Sequence, residues 1–468
     1  MATMIAAKNV IPGPRALPLL GWRTNMLKLF RDPFTYLPLL HRRYGNVVAL
    51  AEGDPTYVCA FGPALNLQVL SKPDLFEVSA GPFQKLPENT PLVRIGGNSL
   101  QMMKGEQHRQ QRRLMQPAFH RQQVAHYHDD MVALVQRMLD RWQKGSVIDL
   151  SREMELLTRN VTVKALFGLD DEAEIDQMGN LLERMVAQIS LAMIAPINVP
   201  GTPYYRTQHL AAQLETALQA MIERKRTQTD AHDLLSVLIH AHDEDGTTLR
   251  DKELVSHAFT LFSAGFSTTS AALTWTIFLL GQHPRIYERL VDELQSVLHD
   301  EPPTIEQLKQ LTYLDAIVKE SLRILPPGGI GQRRATTTCE LGGYELPAGS
   351  TVIYSEYLTH RLPELYEEPD RFKPERWNTL HRTAYEYLPF SAGQHRCIGA
   401  DFALQEAKLA LATLLQRYRL EIVPNTIIKL DLTMHPKHGL PTRVLPQDRQ
   451  FSRVPVRGNI RHIINLDE

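Results

Sequence analysis

The feature that most limits the fold lies past the middle of the chain, at residues 255–282. This run reads as one helix of about 28 residues, about 42 Å long at 1.5 Å per residue. It ends before His283-Pro284, where the proline ring stops it. The chain has 468 residues, 43% hydrophobic and 22% charged, so a packed globular body is expected around that helix. Length alone would suggest about three domains at roughly 150 residues each. The landmarks below instead form one ordered series. The expectation is a mainly α, single-domain fold with small β-sheets over residues 1–446, followed by a polar C-terminal extension, 447–468.

The formal charge of −1 argues against a nucleic-acid partner. Cys59, Cys339 and Cys397 are odd in number and far apart, so they form no disulfide framework. That fits a reducing, cytoplasmic setting, and no zinc-finger spacing is present. The N-terminus carries no run of about 18 apolar residues, so no transmembrane anchor is expected, and no signal-peptide layout.

Around the long helix, residues 32–44 read as a helix with Pro33 at its start. Residues 47–50 and 57–60 read as a hairpin turning at Gly53-Asp54-Pro55. Residues 81–98 read as a loop over a pocket, and 105–115 as a basic helix. Residues 121–241 are largely helical, broken at Pro196, Pro200 and Pro203. A helix over 308–325 stops at Pro326-Pro327. Short strands follow at 339–341 and 351–354, then a helix over 400–418 and β-like chain to about residue 445.

Cys397 stands in the stretch Phe390-Ser-Ala-Gly393-Gln-His395-Arg396-Cys397-Ile-Gly399, just ahead of a helix. The helix dipole and loop N–H groups favour a thiolate there. The glycines allow close approach of a flat ligand. A lone cysteine is usually a small core hydrophobe; here the spacing of the whole stretch decides otherwise. Phe390, Gly393, His395, Cys397 and Gly399 match the Phe-x-x-Gly-x-(Arg/His)-x-Cys-x-Gly haem loop. The chain thus resembles the cytochrome P-450 superfamily of haem-thiolate monooxygenases, in its soluble bacterial form.

That resemblance implies haem b (iron protoporphyrin IX) as cofactor, with Cys397 as the metal ligand. Inside the long helix, Ser263-Ala-Gly-Phe-Ser-Thr-Thr-Ser270 contains glycine, which costs about 1 kcal/mol against alanine in a helix. The spacing places Ala264, Gly265, Thr268 and Ala272 on one face, suited either to a close helix crossing or to a flat cofactor and substrate. The run resembles the family's oxygen-binding motif. Ala264, Gly265, Thr268 and Thr269 match, and Ser267 replaces the acid. The resemblance implies catalytic roles at Ser267, Thr268 and Thr269, with protons arriving through ordered water, Thr268 or another acid.

For the haem propionates, His108 and Arg112 resemble the family's pair four residues apart. Arg333, with Arg334 as rival, and His395 complete the set. Glu320 and Arg323, with Arg376, resemble the structural charge cluster that braces the cysteine loop. Ile11-Pro-Gly-Pro14 resembles the hinge that follows an anchor in membrane-bound members.

Residues 81–98, Ala264, Gly328, Ile330 and Leu432 are the expected substrate positions. They are small or apolar, so a small hydrophobic substrate is expected: a terpenoid, fatty acid, steroid or polyketide. The glycines at 328, 329 and 331 suggest room for a bulky skeleton. The implied reaction inserts one oxygen atom from O2. Electrons come from a separate ferredoxin or flavodoxin with its reductase, docked near Arg109, Arg113 and Arg396 of a monomer. The competing reading is a peroxide-driven peroxygenase, or a hydroperoxide isomerase or dehydratase, on the same scaffold.

Overall fold

A computed structural model describes residues 10–79, 86–87, 89–194, 196–228, 232–430 and 434–466. The long helix is its axis, running Asp251–Gln282. It begins four residues earlier than the periodicity indicates, because the Glu253 carboxylate accepts the Arg250 backbone N–H at 2.9 Å. It ends at His283 with extended backbone ahead of Pro284. From Glu253 onward most of its side chains are buried. The helix Leu150–Phe167 packs along it, and Thr158 Oγ1 donates to the Phe266 carbonyl at 2.9 Å.

The expected helix over 308–325 is two, Ile305–Gln310 and Thr312–Ile324. The break at Leu311 has a partner that periodicity does not reveal. The Glu293 carboxylate accepts the N–H groups of Tyr313 and Leu314 at 2.7 and 2.9 Å, capping the second helix.

Ten strands make three small sheets among the described residues. β1 (Val47–Ala51) and β2 (Asp54–Ala60) form the expected hairpin. β8 (Thr351–Tyr354) pairs in parallel with β2, and β5 (Gly331–Ala335) and β3 (Phe76–Val78) complete a sheet in the order β1-β2-β8-β5-β3. β4 (Val147–Asp149), β10 (Pro441–Pro446) and β9 (Tyr418–Ile422) form the second. β6 (Cys339–Leu341) and β7 (Tyr344–Leu346) turn at Gly342-Gly343, both at positive φ. β3, β4 and β5 are too short or too polar to have shown a period of two.

Two expectations change. Part of the 81–98 segment is a helix, Pro91–Gly96, whose Leu92 and Ile95 are buried. Gln208 Oε1 accepts the Leu92 N–H at 3.1 Å, and Arg94 pairs with Glu215. The terminal segment does not hang free. Val456, Ile460, Ile463, Ile464 and Leu466 are buried in the main core. Backbone bonds tie it in, Ile428 N–H to Arg457 C=O at 2.8 Å and Asn465 N–H to Asp370 C=O at 2.9 Å. Few apolar residues, spaced irregularly, hid this packing. No described helix is long and apolar enough to cross a membrane.

A chain ending at residue 453 is therefore expected to lose much of its stability. Each buried aliphatic side chain removed is worth about 1.5–3 kcal/mol. Thermal unfolding of the truncated and full chains checks this; equal midpoints would show that the segment adds nothing to stability.

Candidate active site

The loop carrying Cys397 is held at several points along its backbone. The Cys397 N–H donates to the Phe390 carbonyl at 2.8 Å, and Arg396 N–H to Gly393 C=O at 3.1 Å. Gly393 sits at φ +70°, and a Cβ there would fall 2.0 Å from the Leu70 carbonyl oxygen. Only glycine fits. Gly399 precedes the helix Ala400–Arg417 and accepts the Ala403 N–H at 2.9 Å. Phe390 packs against the main core.

Cys397 is exposed as a residue, although the surrounding fold desolvates its thiol. Burial raises the pKa of the free thiol; the Gly399 N–H, Arg112 and Arg396 act against it. The groups that the loop was expected to aim at sulfur are thus present, but desolvation outweighs them in the unligated thiol.

Cations gather near this sulfur. His108 lies on the helix Gly105–Met115, its ring centroid 4.0 Å from that of His395. Gln394 Nε2 lies 3.2 Å from His108 Nδ1. Burial, then Arg112 and Arg109, pushes His108 down to about 4. Burial, then His108, Arg333 and Arg112, pushes His395 down to about 3. Both rings are neutral at pH 7. Burial lowers the Arg112 pKa, with Cys397 acting against it and Arg396 adding to it, and Arg112 forms no ion pair with a carboxylate among the described residues. Arg333 is buried on β5, over the Tyr354 ring at 5.5 Å, while Arg334 points outward beside Gly349. Strand alternation thus places Arg333, not its rival, on the inner side.

On the long helix, Ala264 and Thr268 are the only exposed residues beyond the first two positions. They stand one turn apart, and Thr268 Oγ1 donates to the Ala264 carbonyl at 2.7 Å. Gly265 turns elsewhere. A Cβ there would lie 3.5 Å from the Thr162 side chain, so Gly265 serves the crossing with Leu150–Phe167. Ala272 is buried too. The small residues therefore divide between two faces. Ser267 is half-buried with its hydroxyl 3.4 Å from the Ser263 carbonyl, and Thr269 is buried.

The glycines after the Thr312–Ile324 helix also divide. Gly328 is exposed, with open space where a Cβ would stand. Gly329 is packed among Phe34, Tyr357 and Met434. Gly331 is filled by Tyr354, whose ring lies 2.2 Å from a notional Cβ. Ile330 packs on the small core under β1 and β2. Only Gly328 offers the room expected of the set. Leu432 and residues 80–85 and 88 lie outside the described residues.

The charge cluster is fully assembled. Arg323 grips Glu320 bidentately, with Nε and Nη2 each 2.9 Å from a carboxylate oxygen, and neither residue is exposed. Arg376 Nε and the Lys373 N–H reach Glu320 Oε1 at 2.9 Å, and Trp377 Nε1 reaches Oε2 at 3.0 Å. Burial alone would raise the Glu320 pKa; Arg323 and Arg376 bring it below the usual value.

His360 was missed. Its Nε2 accepts the Leu388 N–H at 2.7 Å, and Nδ1 faces the Arg323 carbonyl at 3.2 Å. It links the charge cluster to the chain entering the cysteine loop. A lone histidine before Arg361 carries no spacing signal that would mark it.

The comparisons decide the family. The cytochrome P450 family model matches residues 11–443. The chain belongs to the cytochrome P450 family. It is a haem-thiolate monooxygenase of that family. It is 36% identical to the cyclooctat-9-en-7-ol 5-monooxygenase of Streptomyces melanosporofaciens, covering 89% of this chain and 90% of that one. It is 31% identical to the pentalenene oxygenase of Streptomyces avermitilis, covering 91% and 95%. Among solved structures it resembles retinoic acid-bound cyanobacterial CYP120A1, with TM-score 0.80 and 26% identity over 94% of this chain and 100% of that one.

Two outcomes test the bracing of this P450's loop. Glu320→Ala leaves Arg323 buried without its partner, and should cost roughly 3–5 kcal/mol in denaturant unfolding. His360 is held neutral, pushed by burial and Arg323 down to about 3. Its folded pKa is below its unfolded one, so its share of stability is complete above about 6.5 and declines as pH falls toward 3. His360→Asn, which cannot titrate, should unfold with a flatter pH dependence between 6.5 and 4 than the parent; an equal slope would contradict the assignment.

Proposed function

We propose that this P450 binds haem b and hydroxylates or epoxidises a polycyclic terpenoid, with electrons from a separate ferredoxin or flavodoxin and its reductase. The observation carrying the substrate class is the pair of relatives above, joined by the cyclooctatin synthase of Streptomyces melanosporofaciens, 34% identical over 93% of this chain. Exposed Gly328 and Ala264 support it, since they leave space for a rigid apolar skeleton.

The residues fit the cofactor. Cys397 is an exposed residue at the end of its loop, and Arg112 and Arg333 are cations with no carboxylate ion pair among the described residues. Cations so placed suit carboxylates, and arginine can bind them bidentately. His108 and His395, neutral, would serve as hydrogen-bond partners rather than charges. Ala264, exposed, leaves space beside the long helix, whereas Gly265 serves the helix crossing and Gly399 closes the Cys397 loop. A thiolate-bound haem favours cleavage of the O–O bond of dioxygen.

The chain's own part is to bind, exclude water and move protons. Thr268 Oγ1 donates backward to Ala264, which leaves its lone pairs free to accept a hydrogen bond from water. Ser267 offers a hydroxyl where the family carries an acid, so Thr268 and an ordered water are the proposed proton route. Thr269 is buried, away from the exposed pair Ala264 and Thr268. All three proposed docking cations are exposed; Arg109 pairs with Glu106 at 2.8 Å and Arg113 with Asp243 at 3.4 Å, whereas Arg396 has no carboxylate partner among the described residues. Arg396 is thus the strongest candidate contact for an acidic donor.

The test is turnover of a cyclic di- or sesquiterpene with labelled O2 and a ferredoxin–reductase pair. The expected product carries one labelled oxygen. Thr268→Ala should lower product formed per electron consumed by roughly tenfold or more. Turnover with peroxide alone, and none with O2 and reductase, would favour the peroxygenase reading that Ser267 keeps open.

A further inference from the structure

Five carboxylic acids are buried among the described residues: Asp233, Glu253, Glu320, Glu356 and Glu406. Three are answered by cations. Asp233 meets Lys225 at 2.7 Å, Glu253 meets Arg250, and Glu320 meets Arg323 and Arg376. The other two form no ion pair among the described residues and leave oxygens without a hydrogen-bond partner. Glu406 is shifted by burial alone, with no charged group acting on it. Glu356 differs, because it is buried within the field of Arg333. A buried acid with an unbonded oxygen costs stability. Here it stands near a cation that itself has no carboxylate ion pair among the described residues.

The local chain puts it there. β8 ends at Tyr354, and Ser355 leads into the one-turn helix Glu356–Thr359. Ser355 Oγ donates to the Gly329 carbonyl at 2.9 Å and accepts the Leu358 N–H at 3.1 Å, which fixes the turn against the glycine segment. Glu356 opens that turn at 6% exposure, and its Oε2 is the unbonded oxygen. On the neighbouring strand, Arg333 Nη1 donates to the Gln332 carbonyl at 2.9 Å, and the guanidinium lies over the Tyr354 ring. Arg333 acts on Glu356 and on His395 of the cysteine loop alike. One cation thus joins this acid to the loop of Cys397.

Burial pushes Glu356 up to about 8, with its own backbone N–H and then Arg333 acting against it. The proton is therefore held at pH 7 and lost as pH rises through about 8, so at neutral pH the carboxyl group is a hydrogen-bond donor. The surrounding groups do not reverse this. Burial and then Glu356 itself raise Tyr354, which stays neutral. The helix Pro33–Tyr44 packs on the same turn, but its capping Asp32 acts on Tyr357, as do Arg361 and Asp370, and not on Glu356.

We propose that Glu356 is a positioning residue for the haem, donating a hydrogen bond from its carboxyl O–H to the propionate that Arg333 pairs with. The inference rests on the reading above that Arg333 serves a propionate. A neutral acid strengthens such a site. Its O–H···O⁻ bond is charge-assisted, and the fork of Arg333 stays free for the propionate. Once ionised, Glu356 competes for Arg333 and repels the propionate. Haem is thus held most firmly at neutral pH and less firmly above the titration of Glu356. By reciprocity, a propionate in place raises that titration further.

The test is the rate at which purified ferric holoenzyme gives up haem to excess apomyoglobin, without substrate or reductase. The parent should lose haem roughly tenfold faster at about pH 9.5 than at pH 7. Glu356→Gln keeps a neutral donor and cannot ionise, so it should show little of that acceleration. Glu356→Ala, with neither donor nor charge, should lose haem faster than the parent at pH 7 and change as little with pH. The infrared difference between parent and Glu356→Gln should carry the C=O band of a protonated carboxyl group at pH 7 and lose it at the higher pH. Equal pH dependence in the parent and Glu356→Gln would overturn the inference, as would the absence of that band at pH 7. Arg333→Gln should lose haem faster at every pH; if it matches the parent, the propionate reading itself fails and takes the inference with it.

Discussion

The buried carboxylate of Glu320 carries more of this structure than any other group. Five donors converge on its two oxygens: two from Arg323 and one each from Arg376, the Lys373 backbone and Trp377. Such a carboxylate stays ionised only because these donors replace water around it. Arg323 then spends its remaining donors on the carbonyls of His360, Pro369 and Arg371. Residues 360–377 form little regular structure, so their backbone groups need partners of this kind. From His360 the connection runs to the Leu388 N–H, and from there into the loop of Cys397. The position of one sulfur is thus set by a charge network in a different part of the chain.

The long helix shows how one segment answers two demands. On one side Gly265 lets the helix Leu150–Phe167 approach, and Thr158 bonds across the contact. On another, Ala264 and Thr268 stay open one turn apart. Trp275 Nε1 donates to the Met434 carbonyl and so ties that residue to the same helix. Packing along most of its length leaves one short face open, at Ala264 and Thr268.

Much of this was legible in the residues. The long helix, the β1–β2 hairpin and the basic helix follow from period and punctuation. The cysteine loop and the Glu320, Arg323 and Arg376 trio follow from fixed spacing. What was not legible depends on contacts between segments far apart. Strand β5 is Gly-Gln-Arg-Arg-Ala, with no apolar alternation, and exists because β8 and β3 pair with it. The small size of Gly331 answers Tyr354, not a ligand. The free thiol at Cys397 is dominated by burial, which no local pattern reports. The terminal segment looked polar because its few aliphatic residues are irregularly spaced, yet each finds the core.

The account rests on Cys397 ligating the iron of a porphyrin through sulfur. The most direct measurement is the absorption difference spectrum of the reduced, carbon monoxide-bound protein, parent against Cys397→Ser, at equal haem content. The parent should show the strongly red-shifted band that thiolate ligation produces, and the variant should lack it. A parent without that band, or a Cys397→Ser variant that keeps it, would contradict the account.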